Sequence, residues 1–335
     1  MADTEIEWAD RVWNPTTGCD KVSPGCDHCY ALTMAKRLKG IGSAKYQRDG
    51  DPKTSGPGFG VSTHDDALTL PLRWRKPAKV FVNSMSDLFH AEIPDAFIAR
   101  VFAVMALAPQ HTFQLLTKRH ARMRSLLAAP DFERAVGVEW LRHPARVTYT
   151  PGPRWPLPNV WAGVSVEDQH WADIRIPALL ETPSAVRWIS AEPLLGPLDL
   201  SAWLNTAGTL VCGCGVAPPG APGWSGGCSP SCMWPAPSGL DWVVTGGESG
   251  SGARPAHPAW FRSIRDQCKS AGVAYHHKQN GAYIQGFMGL GHSPTSGERD
   301  GETPAGAQGM RRVGKKAAGR LLDGQVHDAY PGVSS

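Results

Sequence analysis

The chain has 335 residues, 41% of them hydrophobic, and a formal charge of +4. That length and apolar content supply a full core for one large α/β domain or two smaller ones. No apolar run approaches the roughly 20 residues that span a bilayer, so a membrane-spanning helix is excluded. The mild positive charge permits a nucleic-acid partner without requiring one.

The N-terminus, Met1-Ala2-Asp3-Thr4-Glu5, is acidic and lacks a signal-peptide pattern, which gives a cytoplasmic location as the expectation. Eight cysteines in a reducing compartment favour metal ligation over disulfides. The 37 glycines and 29 prolines imply many tight connections. The 13 tryptophans imply core packing together with aromatic surfaces around a pocket.

Residues 5–17 hold Ile6, Trp8, Val12 and Trp13 and read as a first strand. It runs into a Gly- and Pro-rich loop with Cys19, Cys26 and Cys29. A helical pattern follows over 31–38, and 40–60 reads as a long polar loop. Then a rhythm begins. Short apolar runs at 80–84, 112–117, 160–165, 186–190, 242–246 and 273–278 read as buried strands. Helical patterns at 94–108, 120–128, 167–180 and 258–271 alternate with them, with Pro94 suited to a first turn. Residues 130–157 read as an irregular excursion, 198–204 as a short helix, 284–310 as a loop, and 315–322 as a short basic helix.

Alternating strands and helices imply a parallel sheet, and about six or seven units suit a TIM-like (β/α) barrel, partial or complete. A doubly wound open sheet is the rival. The barrel core is expected over residues 1–204 and 241–283, with the cysteine loop after the first strand. Residues 205–240 form a Cys-rich insertion, and 284–335 a C-terminal loop and helix.

In parallel α/β folds the chemistry gathers beyond the carboxyl ends of the strands. There the sequence places Ser84, Ser86 and Asp87, then Lys118 and Arg119, then Ser165, Glu167 and Asp168. Glu192, then Gly246, Gly247 and Glu248, then Lys278 follow. One such segment reads equally well as a wet loop or a helix cap. Six of them on the rim that carries the cysteine loop read as a site.

Cys26 and Cys29 form a CxxC pair, with Cys19 seven residues before Cys26. Three thiolates on one loop fit zinc with a further ligand, or an iron–sulfur cluster with one open iron; spacing alone leaves both. Cys212, Cys214, Cys228 and Cys232 resemble a closed tetrahedral zinc site, with free or redox cysteines as the alternative. Cys268 reads as a buried apolar residue.

The stretches WNPTTGCDKVSPGCDHCYA, VFVNSMSDLFH, FQLLTKRHARM, WAGVSVEDQ, ISAEPLLGPLDL, DWVVTGGESGSGARPAHPAW and VGKKAAGRLLDG resemble a bacteriophage-associated family with a three-cysteine motif and no settled activity. That family resembles in turn the radical S-adenosylmethionine (SAM) enzymes. There, three cysteines after the first strand of a partial barrel hold a 4Fe–4S cluster. The resemblance implies that Cys19, Cys26 and Cys29 ligate iron and that the open iron binds SAM. It implies a 5′-deoxyadenosyl radical that abstracts hydrogen from substrate. Under it, Asp87, Lys118 and Glu192 are the catalytic candidates. Ser84, Ser86, Arg119, Ser165, Glu167, Gly246, Gly247, Glu248 and Lys278 are the cofactor-binding ones. The pattern departs from the common CxxxCxxC, with six residues between Cys19 and Cys26. The Gly-Gly-Glu segment also follows a late strand rather than the second.

Phage association implies a nucleic-acid or nucleotide substrate in a host cytoplasm, a reductant for the cluster and a partner protein encoded nearby. Two basic patches fit such a substrate: Lys118, Arg119, Arg122 and Arg124, and Arg311, Arg312, Lys315, Lys316 and Arg320. Solvated helix faces are the plainer reading of either patch taken alone. The alternative for the whole chain is a zinc-stabilised nucleic-acid-binding protein without redox catalysis. A metal-dependent hydrolase is disfavoured, because His276 and His277 are adjacent in a strand and face opposite ways.

Overall fold

Seven short apolar runs form one sheet in the computed structural model. It describes residues 4, 6–145, 152–204, 210–212, 233–235, 239–286 and 309–332. The strands are β1 (Arg11–Trp13), β2 (Lys79–Val82), β3 (Thr112–Thr117), β4 (Val160–Ser165), β5 (Val186–Ala191), β6 (Trp242–Gly246) and β7 (Ala274–Gln279). They lie side by side in sequence order, and every neighbouring pair is parallel. A doubly wound sheet reverses its strand order at a switch point. This sheet never reverses, so its crossovers wind one way, as in a (β/α) barrel.

The sheet is curled. In a flat sheet β2 and β6 would stand about 19 Å apart, at about 4.8 Å per strand. Yet the Trp8 indole meets Phe81 of β2 at 4.7 Å and Trp242 of β6 at 6.1 Å between ring centroids. Only a half-barrel lets one ring touch both.

Residue alternation sorts the two faces. Along β4, Trp161 joins an inner aromatic cluster with Trp8, Phe81, Trp188 and Trp242. Val160, Ala162 and Val164 join the outer core instead. That outer core packs against α2 (Asp95–Leu107), α3 (His120–Leu127), α4 (Pro130–Arg142), α5 (Gln169–Leu180) and α6 (Pro258–Ala271). Burying one such large side chain stabilises by about 1.5–3 kcal/mol. The inner tryptophans therefore fill the amino-terminal end of the barrel and leave its carboxyl end open. Gly163 belongs to this layer, because a Cβ there would strike the Trp188 ring.

Among the described residues the half-barrel does not close on itself: β1 and β7 are its two edges. The C-terminal segment lies along β7. His277 N–H donates to His327 O at 2.8 Å and Ala329 N–H to Tyr275 O at 3.3 Å. Tyr330 then reaches under the Lys79 ammonium, 4.6 Å from its ring centroid. N- and C-terminal segments thus fill the gap that an eighth strand would occupy.

Several expectations change. Residues 130–142 are helix α4, not irregular chain. Pro130 sits in its first turn, and Phe132, Val136 and Trp140 at i, i+4 and i+8 bury one face. Residues 198–204 form turns rather than a helix, and the C-terminal helix is only Lys315–Ala318. Leu210–Cys212 and Met233–Pro235 pair as antiparallel strands within the insertion. Within 284–310, Tyr283–Gln285 pairs with Met310–Arg312. Residues 287–308 lie outside the described residues. Among the described residues no helix is long and apolar enough to cross a membrane.

Candidate functional site

The cysteine loop leaves β1 and crosses the open carboxyl end of the barrel, and α1 (Tyr30–Gly40) follows it. Two carboxylates from strand ends hold it there. Glu167, fully buried after β4, accepts a hydrogen bond from the Ser23 hydroxyl and pairs with Arg175 at 2.7 Å. Gly25 lies directly on Glu167, where any Cβ would strike the carboxylate. Glu248, after β6, takes a bidentate fork from Arg254 at 2.7 and 2.8 Å. The same guanidinium donates to Pro24 O at 2.8 Å, on the underside of the loop.

Cys19, Cys26 and Cys29 are all half-buried free thiols on this loop. Burial pushes the Cys19 thiol up to about 12, with the Asp87 carboxylate adding to the effect and Arg119 opposing it. Burial also raises Cys29, against backbone N–H groups of Ala31 and Leu32 and the nearby Lys118 ammonium. Neutral thiols of this kind become thiolates when a metal displaces their protons.

Beneath the loop lies a cavity of about 630 Å3. All three cysteines line it, together with Ser84, Ser86, Asp87, Lys118, Ser165, Glu192, Gly247, Glu248 and Lys278. Six strand ends therefore do meet the cysteine loop at one place. Trp8, Phe81 and Leu116 contribute apolar wall towards the barrel interior. Three candidates do not line it. Glu167 is under the loop, as described. Gly246 makes room for Glu192, since a Cβ there would approach the carboxylate carbon to 2.8 Å. Arg119 stands beside Cys19.

The lining carboxylates are already engaged. Asp87 accepts from the Thr117 hydroxyl at 2.7 Å, from Phe89 N–H at 3.0 Å and from Lys118 N–H at 3.1 Å. It ties β2 to β3. Glu192 accepts from Lys278 Nζ at 2.9 Å and from Gln279 Nε2 at 3.1 Å. Lys118 Nζ donates to Ser165 Oγ at 3.0 Å and has no carboxylate partner among the described residues. The basic patch beside it is dispersed: Arg122 pairs with Asp95 and Arg124 with Glu181.

Sequence reasoning missed several residues here. Arg175, Arg254 and Ser23 carried no motif. Asn83 did carry a signal. It follows β2, lines the cavity, and holds a left-handed φ of 67° that Asn tolerates better than most residues. Its amide nitrogen donates to Thr16 Oγ1 at 2.9 Å, and its Oδ1 has no partner among the described residues.

Asp20, His90 and Glu92 bring three ligand-type atoms within 4.8 Å of one another. Both His90 nitrogens are engaged, however: Nδ1 accepts from Glu92 N–H at 3.2 Å and Nε2 lies 2.8 Å from Asp20 Oδ2. Asp20 also accepts from the Thr54 and Ser55 hydroxyls. The group braces the cysteine loop against residues 48–60. No cysteine belongs to such a group among the described residues. The expected four-cysteine zinc site falls outside the described residues at Cys214, Cys228 and Cys232; Cys212 ends the strand Leu210–Cys212.

Comparison with curated proteins and with solved structures finds no match in either. A family model does match, over residues 3–331. The chain belongs to the family described as protein of unknown function DUF5131, and the match takes in the whole half-barrel with its cysteine loop.

Proposed function

We propose that the chain is a radical SAM-like iron–sulfur enzyme acting on a nucleic acid or nucleotide. One observation carries the reading. Three cysteines of a single loop, placed after the first strand of a parallel half-barrel, line the cavity at its carboxyl end. When bound, a 4Fe–4S cluster would supply the electron that splits SAM into methionine and a 5′-deoxyadenosyl radical.

The chain's own residues suit that chemistry. Lys118 brings a positive charge close to Cys29, where thiolates would otherwise repel one another. Its ammonium also fits an amino-acid carboxylate. Glu192, held by Lys278, fits an ammonium group. The hydroxyls of Ser84, Ser86 and Ser165 fit a ribose, and Trp8 and Phe81 exclude water from the inner wall. Asp87 spends its oxygens on the β2–β3 junction and acts by position.

Anaerobic reconstitution tests this. The protein should take up about four iron and four sulfide per chain. SAM should change its EPR signal and be cleaved to 5′-deoxyadenosine. Cys26→Ala should lose the iron. A colourless protein with stoichiometric zinc and no iron uptake would replace this reading with a zinc-stabilised nucleic-acid-binding protein.

A further inference from the structure

Helix α1 runs away from the cysteine loop with one face unpartnered. Its inner face is settled: Ala31 and Ala35 are buried against Tyr46, Phe59 and Met85. At 3.6 residues per turn, Tyr30, Met34, Arg37 and Ile41 fall on one outward stripe about 16 Å long. Tyr30 is 57% exposed, Met34 40% and Ile41 72%. Val22, on the cysteine loop, is exposed as well and lines the cavity with Tyr30 and Met34. Exposed large apolar side chains gathered this way mark a contact surface.

The charge of this surface has one sign. Helix α1 contains Lys36, Arg37 and Lys39 and no acidic residue. Lys39 is paired with Asp49, whereas Lys36 and Arg37 have no ion-pair partner among the described residues. Lys21 adds a further exposed ammonium at the cavity mouth, donating only to the Asp27 carbonyl oxygen. Of the exposed carboxylates beside this surface, Asp49 is held by Lys39 and Asp27 faces Arg254 at 3.4 Å. Aromatic and apolar surface bordered by uncommitted cations complements a polyanion that carries flat rings.

Tyr30 ends the stripe beside the cysteine loop. Its hydroxyl donates to the Ser84 carbonyl oxygen, which fixes the ring while the rest of the residue stays open. A ring tethered at its tip and exposed along its body is a stacking platform. It stands beside Cys29, at the mouth of the cavity that all three cysteines line.

We propose that α1 is the docking track for a single nucleic-acid strand, with one base stacked on Tyr30, phosphates on Lys21 and Arg37, and Lys36 flanking the stripe about 100° round the helix from Arg37. The strand is thereby led to the mouth of the cavity that Tyr30 and Met34 line. This deepens the reading above by naming how its substrate is held. It rests on that reading for the chemistry alone, since binding needs no cluster.

The test uses the full metal-free chain and a fluorescent oligothymidylate, read by anisotropy across salt concentrations. Affinity should fall with salt, by about 0.7 log units per log unit of salt for each phosphate contacted. Arg37→Glu and Lys36→Glu should each weaken binding about tenfold and flatten that dependence. Tyr30→Ala should weaken it about tenfold without flattening it, because stacking is not ionic. Thymidine monophosphate should compete only weakly if a strand is the ligand. Equal competition by the mononucleotide assigns the site to a free nucleotide and overturns the track.

Absence of oligonucleotide binding overturns the proposal, as does binding untouched by these variants but abolished by Arg311→Glu with Arg312→Glu. A concentration-dependent dimer broken by Arg37→Glu would show that the stripe covers a second copy of the chain, and overturns it too. Because no iron or SAM is present, failure here leaves the cleavage experiment standing, and failure there leaves this one standing.

Discussion

Single residues decide how closely the cysteine loop can lie on the barrel. Gly25 rests on the buried Glu167 carboxylate, with no room for one more carbon. Gly25→Ala should lower unfolding stability by about 1–3 kcal/mol in urea, through overpacking against a side chain that has nowhere to go. Gly137 makes the contrast. It lies inside α4, and a Cβ there would meet nothing within 4 Å. Gly137→Ala should therefore stabilise by about 0.5–1 kcal/mol, because a helix interior prefers Ala. The same denaturation series reads both signs. Neither outcome follows from sequence alone, since both glycines look like loop punctuation in a chain that has 37. The difference lies in what crosses above them, and for Gly25 that is Glu167, a residue far along the chain.

Between elements, two ion pairs at the ends of β4 and β6 support the cysteine loop, which meets them through Ser23 and the Pro24 carbonyl oxygen. Glu167 and Arg175 are both fully buried, so breaking their pair strands a charge in low dielectric. Burial lowers the Arg175 guanidinium from its ordinary range, and the Glu167 carboxylate opposes that shift. Arg175 also lies 4.1 Å over the Trp171 ring. Arg175→Met should cost about 3–5 kcal/mol by calorimetry, much of it the penalty on unpaired Glu167. A second change, Glu167→Gln with Arg175→Met, should recover part of that loss. If the double variant is no more stable than the single one, the pair is not what holds the loop. The Glu248–Arg254 pair is more exposed, with 30% of the arginine side chain open, and is worth correspondingly less. Its role is directional: one guanidinium bridges the β6 end and the loop backbone at Pro24. The sequence marked Glu167 and Glu248 as site residues from their place after strands. Their partners remained hidden, because an arginine on a helix or loop carries no sign of which carboxylate it will meet.

For the whole molecule, the buried histidines of β7 set the response to acid. His276 is enclosed by Trp242 and Tyr330 in the barrel interior, and neither of its ring nitrogens has a partner among the described residues. His277 faces the outer core, beside Phe261, with ring nitrogens 3.0 Å from Thr245 Oγ1 and Asn280 Oδ1. Burial is the main cause that brings each down to about 4, with Arg320 adding to the effect at His276. Below pH 6.5 the unfolded chain binds protons that the folded chain refuses, so stability falls as pH drops from 6.5 towards 4. The loss should reach about 3 kcal/mol per histidine at the acid end. Urea midpoints at pH 7 and pH 5 measure it, and His276→Leu should shrink the difference. An unchanged midpoint shift in that variant would place the acid sensitivity elsewhere.

The strands themselves were legible in the sequence. Residues 112–117, 160–165 and 242–246 are strands to the residue, because a strand buried on both faces must be apolar throughout. The opposed faces of His276 and His277 and the burial of Cys268 followed from period and composition. Helix α4 was legible too, in the spacing of Phe132, Val136 and Trp140, although 130–157 reads as an irregular excursion when its periodicity is passed over. The sequence by itself determined the strand–helix alternation, the cysteine loop, and which polar residues follow each strand. Only the tertiary structure decided the order of the strands and therefore the barrel-like winding. It also decided that the strand-end carboxylates are committed to protein partners, and that α1 leaves a basic, aromatic stripe uncovered. Alternation and burial are local properties written every two to four residues. Winding, pairing and exposure depend on which distant segments meet, and no local pattern encodes that.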